Sequence, residues 1–94
     1  MEVRYSIAVH PSVHKEDLPK LDKMWRRKIR DSVRSKLTTA PELFGVPLRQ
    51  TLGGLRKLRI GDYRVIYRIE KKVVQILIIS HRSVVYKDIL KRIH

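Results

Sequence analysis

Leu55-Arg56-Lys57-Leu58-Arg59-Ile60-Gly61-Asp62-Tyr63-Arg64-Val65-Ile66-Tyr67-Arg68-Ile69 is the stretch that decides the fold. Two runs of β-forming residues flank Gly61-Asp62, a two-residue hairpin turn in which glycine can take positive φ. Glu70-Lys71-Lys72 makes a second turn. Val73 to Ser80 (VVQILIIS) follows, apolar on both faces as a central strand covered on both sides should be. The expected strands are therefore Leu55–Ile60, Tyr63–Ile69 and Val73–Ser80, in an antiparallel meander.

Outward from the meander, Val84 to Ile93 reads as a terminal helix with Val85, Ile89, Leu90 and Ile93 on its apolar face. Upstream, residues 39–54 hold Pro41, Gly45, Pro47, Gly53 and Gly54 and read as a loop. The clearest helix spans Asp22 to Thr38. Leu21, Trp25, Ile29, Val33 and Leu37 recur every four residues, and Asp22 is its expected cap. Ser12 to Leu18 predicts a short helix that Pro19 should end, because proline disfavours a helical residue before it. Arg4 to His10 predicts a strand with Tyr5, Ile7 and Val9 on one face. The sum is a single α+β domain over residues 1–94.

Charge carries the first functional information. Lys and Arg total 22 against 9 Asp and Glu, a net charge of +13. Residues 48–94 carry 12 basic and 3 acidic side chains, so the excess concentrates in the meander half. Such a balance attracts polyanions. No cysteine is present, which excludes disulfides and thiolate chemistry. No apolar run approaches the roughly 18–20 residues of a membrane span. The first residues do not read as a signal peptide, so a soluble, cytoplasmic protein is expected.

Strand alternation puts Lys57 and Arg59 on one face and Arg56 with Leu58 on the other, while Arg64 shares a face with Ile66 and Arg68. A purely structural surface would set opposite charges across strands. Here like charges gather, with Asp62 and Glu70 confined to turns. That pattern predicts a phosphate-binding face. At the end of the last strand, Ser80-His81-Arg82 and Tyr86 add a titratable ring, a fixed cation and a phenol, a set suited to acid–base work on a phosphodiester.

Leu58 to Tyr67 (LRIGDYRVIY) and Ile79 to Tyr86 (ISHRSVVY), with Leu37-Thr38-Thr39-Ala40-Pro41 and Pro47-Leu48-Arg49 upstream, resemble the RelE/ParE toxin superfamily on its RelE side. The likeness runs through nearly the whole chain. It implies the toxin of a type II toxin–antitoxin pair, a metal-independent ribonuclease that cuts messenger RNA in the ribosomal A site. In that chemistry a 2′-hydroxyl attacks the adjacent phosphate, the 5′-oxygen leaves and a 2′,3′-cyclic phosphate results. By position, the resemblance implies Arg64 and Arg82 as phosphate-stabilising cations and Tyr86 as the group that orients the base. Lys57 or His81 would handle the proton. Arg56, Arg59 and Arg68 are the expected RNA-binding cations. One departure is Leu55, where some members carry a second lysine. The expected partners are an acidic antitoxin in a hetero-oligomer, the ribosome and messenger RNA, with no cofactor, metal or membrane. In this family the antitoxin docks near the terminal helix.

Two rival readings belong to other classes: a ParE-like DNA gyrase inhibitor and a homologue that binds RNA without cutting it. His10 and His14 lie four apart, but Pro11 intervenes and no third ligand is evident. Gly53-Gly54 lacks the Gly-Lys-Ser/Thr of a phosphate loop. Trp25, Tyr63 and Tyr67 read as packing residues, and the basic helix 22–38 as a solvated exterior.

Overall fold

A computed structural model describes residues 4–48 and 53–93. Five strands form one sheet in the order β1-β5-β4-β3-β2. They are β1 (Ser6–Val9), β2 (Val46–Pro47), β3 (Leu55–Ile60), β4 (Tyr63–Glu70) and β5 (Val73–His81). β1 runs parallel to β5, and every other pairing is antiparallel. The meander is the expected one, one residue longer at the ends of β4 and β5. Gly61 makes its hairpin at φ +58, and a Cβ there would stand 2.5 Å from Trp25 Cη2. Both backbone and packing therefore require glycine.

The helical elements are α1 (Lys23–Ser32), α2 (Pro41–Phe44) and α3 (Val85–Ile93). Asp22 caps α1, its side chain accepting from Trp25 N at 2.9 Å. Past Ser32 the chain widens into a π-type turn, Val33–Leu37, that keeps Val33 and Leu37 buried. The first helical piece does not stop at Leu18. A π-type turn, Val13–Asp17, tightens into a 3₁₀ turn, Leu18–Lys20, with Pro19 in its first positions. Proline is tolerated there because its missing N–H has no intrahelical acceptor to serve. The expected loop at 39–54 also holds order: α2 and β2 fall within it, while residues 49–52 lie outside the described residues.

Two apolar clusters sandwich the sheet. On one side, Ile29, Val33 and Leu37 pack with Val13 and Leu21 onto Leu58, Val65, Tyr67, Val74 and Ile76. On the other, Val85 and Ile89 of α3 cover Leu55, Ile66, Leu77 and Ile78. A helix therefore lies on each face, which is why β5 is apolar on both. α3 spans only nine residues, and the hairpin end of its face stays open.

Candidate nucleic-acid interface

The β3–β4 register sets Lys57 opposite Ile66, Arg59 opposite Arg64 and Leu55 opposite Arg68. Period-two alternation then puts Lys57, Arg59, Arg64 and Arg68 on the α3 face of the sheet. Of these cations, Lys57 reaches the start of α3. Tyr86, in the first turn of α3, is 43% exposed. Lys57 Nζ donates to Tyr86 Oη and lies 5.2 Å from the centre of its ring. The ammonium and the phenol thus form one unit, reached from β3 and α3 separately.

Arg64 curls back on the hairpin, Nη1 donating to the carbonyls of Gly61 and Tyr63 at 2.9 Å each. Arg82 stands across the turn, its backbone N–H donating to Asp62 O at 2.8 Å and its Nε lying 3.6 Å from Asp62 Oδ1. Arg59 and Arg82 are exposed. Four guanidinium and ammonium groups, from Lys57, Arg59, Arg64 and Arg82, therefore border the hairpin end with Asp62 as their acidic neighbour. An array of this kind stabilises phosphate charge. Arg68 is further down the strand, bridged to Glu70 Oε1 at 2.9 Å and donating to Gln75 Oε1 at 3.0 Å.

Two expected residues lie elsewhere. Arg56 points to the opposite face, where its Nη2 donates to Glu42 O and Gly45 O at 2.6 Å each. There it satisfies carbonyls at the end of α2. His81 pairs with Tyr63 across the β4–β5 ladder and shares that residue's face, away from Lys57 and Tyr86. Its ring meets Tyr63 edge-on at 5.8 Å, and its Nδ1 accepts from Ser83 N at 3.1 Å. The structure brings Lys57 and Tyr86 together and leaves His81 apart.

The packing assignments hold. Tyr67 is fully buried, its hydroxyl donating to Pro41 O at 2.7 Å. Burial pushes that phenol above its ordinary pKa, and the nearby Arg56 guanidinium opposes the rise. Gly45 leaves room for the same hydroxyl, since a Cβ would stand 1.8 Å from it. Trp25 packs against Tyr63 with ring centroids 4.9 Å apart and the planes tilted by 57°. His10 Nδ1 accepts from Ser12 N. Among the described residues, no three His, Asp or Glu side chains gather as a metal-binding group.

A family model for the ParE toxin of the type II toxin–antitoxin system, parDE, matches residues 7–86. The chain belongs to the RelE/ParE toxin superfamily. It is 34% identical over 85 residues to Toxin RelE of Mycobacterium tuberculosis, covering 88% of this chain and 87% of that one. The toxin–antitoxin complex RelBE2 from the same organism contains a chain that superposes with a TM-score of 0.79 at 31% identity. That match covers 86% of this chain and 94% of the other. The archaeal RelE–RelB complex of Pyrococcus horikoshii gives a TM-score of 0.60 at 31% identity, covering 84% and 96%. The protein is thus a toxin of a type II toxin–antitoxin system with the RelE-like α+β fold. Among the described residues of this RelE/ParE toxin, no helix is long and apolar enough to cross a membrane.

One feature of the toxin escaped the sequence reading. Asp17 is buried, its Oδ2 accepting from Ile79 N at 2.9 Å and from Arg92 Nη1 at 2.6 Å. A signal was available: Asp17 falls midway in the four-residue spacing Val13, Asp17, Leu21, whose other two members are core. A carboxylate on an apolar stripe needs a buried partner.

Proposed function

We propose that this toxin is a metal-independent endoribonuclease that cleaves messenger RNA in the ribosomal A site. The observation that carries the reading is the Lys57–Tyr86 pair bordered by Arg59, Arg64 and Arg82 on one open end of the sheet. In the reaction, the 2′-oxygen loses its proton and bonds to phosphorus, the P–O5′ bond breaks, and the 5′-oxygen takes up a proton. Lys57 and Tyr86 share a hydrogen bond, so they can hold or pass the proton at this position. Arg64 and Arg82 stabilise the extra charge on the phosphorane, and Arg59 guides the backbone. Tyr86 offers a half-exposed ring on which a base can stack.

The partners follow from the same surface. An acidic antitoxin would neutralise the cations and form a hetero-oligomer, as the RelBE2 and RelE–RelB complexes suggest by similarity. Action on the ribosome places the protein in the cytoplasm. The test adds purified protein to a translating extract and maps messenger ends by primer extension. Discrete new ends bearing 2′,3′-cyclic phosphate, lost in Arg64→Ala and Tyr86→Phe, are expected. The match to the ParE family model keeps one alternative, inhibition of DNA gyrase. Intact messenger together with blocked supercoiling would decide for it.

A further inference from the structure

β1 ends at Val9, opposite Ile76, so Leu77 to His81 of β5 have no neighbouring strand on that edge. His10 N still reaches Ile76 O at 2.8 Å, but Leu77 O and Ile79 N lie beyond it. Two side chains from opposite ends of the sequence take those positions. Asp17 Oδ2 accepts from Ile79 N, and Arg92 Nη1 donates to Leu77 O at 3.1 Å. Between themselves they form a bidentate bridge, Arg92 Nη1 to Asp17 Oδ2 at 2.6 Å and Arg92 Nη2 to Asp17 Oδ1 at 3.0 Å. Both side chains are nearly buried, at 6% and 11% exposure. Leu77 is also where the β4–β5 register slips, since Ile66 pairs with Ile78 and Tyr67 with Ile76. The clamp therefore seizes β5 at its irregular residue.

Arg92 lies in the last turn of α3 and Tyr86 in the first, about 9 Å apart along the axis at the usual helical rise. α3 meets the sheet through the buried apolar residues Val85 and Ile89 and through Asp88, which accepts from Ser80 Oγ at 3.4 Å near the start of the helix. A bidentate guanidinium–carboxylate pair supplies the directional restraint that apolar contacts lack. We infer that Asp17 and Arg92 are positioning residues that fix the pose of α3 and hold the Tyr86 phenol on Lys57. The role in cleavage rests on the ribonuclease reading; the role in holding Tyr86 does not.

Removing Arg92 alone would strand a buried carboxylate and risk unfolding. The variants are therefore Arg92→Lys, which keeps the charge but loses the fork, and the neutral double variant Asp17→Asn/Arg92→Gln. Each is made with 3-fluorotyrosine at all four tyrosines, and Tyr86→Phe assigns the Tyr86 signal. In the folded double variant the Tyr86 fluorine resonance should shift or broaden while those of Tyr5, Tyr63 and Tyr67 hold. Cleavage kcat should fall about ten- to a hundred-fold with KM unchanged, as for a misplaced catalytic group. Arg92→Lys should recover part of both. A folded double variant with a lowered Tm but an unmoved Tyr86 resonance would overturn the inference. If wild type cuts no RNA, the ribonuclease reading fails, and the fluorine spectrum still decides whether the clamp holds Tyr86.

Discussion

Arg59 and Arg64 stand directly opposite each other on β3 and β4, two guanidinium groups in a cross-strand position where proteins usually set opposite charges. The pair opposes the fold and favours an anion, so stability and binding should move in opposite directions when it is altered. Arg59→Glu is expected to stabilise the protein by about 0.2–1 kcal/mol in urea unfolding. The same variant should bind single-stranded RNA more weakly. A variant that loses both stability and binding would show that the pair is not a strained anion site.

The two candidates for the proton are on different faces of the sheet, which makes them separable. Lys57→Ala and Tyr86→Phe should each lower single-turnover cleavage by about a hundred- to ten-thousand-fold, the range for a lost acid or base. Neither should lower Tm appreciably, since Tyr86 is half-exposed and Lys57 is only half-buried. His81→Ala should cost less than about ten-fold, because its ring faces Tyr63 and the Ser83 turn. The reverse ranking would reassign the base to His81.

The meander, the α1 stripe, the Asp22 cap and the pairing of Lys57 with Arg59 and of Arg64 with Arg68 on strand faces were all legible in the sequence. Each follows from local periodicity or from a turn that only certain residues make. That the two pairs share one face comes from the β3–β4 register. The order in 41–47 was not legible, because α2 and β2 span four and two residues and exist through long-range contacts. Arg56 and Tyr67 hold them from β3 and β4. Similarly, the separation of His81 from Tyr86 depends on which way the chain turns after β5. The Asp17–Arg92 bridge joins residues 75 positions apart, beyond the reach of any local pattern.

Arg56 and Arg59 are close in sequence but serve opposite faces, and salt dependence distinguishes them. For single-stranded RNA the slope of log K against log salt is about −0.7 per neutralised phosphate. Replacing Arg59, Arg64 or Arg82 by Ala should each flatten it by about 0.7. Arg56→Ala should leave the slope alone. It should instead destabilise the fold by about 1.5–3 kcal/mol, since a charged donor leaves two α2-end carbonyls.

Tyr67 predicts an alkaline limit to stability. Burial raises its phenol above the ordinary 10.0, so the folded chain keeps a proton that the unfolded chain releases. With fewer protons bound in the unfolded state, stability is fully present below about pH 10 and falls as pH rises beyond it. The loss continues until the raised folded value is passed. Tyr67→Phe should cost about 1 kcal/mol at neutral pH through the lost bond to Pro41 O, yet its stability should decline less steeply above about pH 10. Urea unfolding of both proteins from neutral to alkaline pH measures the two slopes. Parallel alkaline limbs would mean that Tyr67 keeps no more hold on its proton in the folded state than in the unfolded one. The alkaline loss would then belong to other groups, Tyr5 first among them, whose raised phenol hydrogen-bonds Glu42.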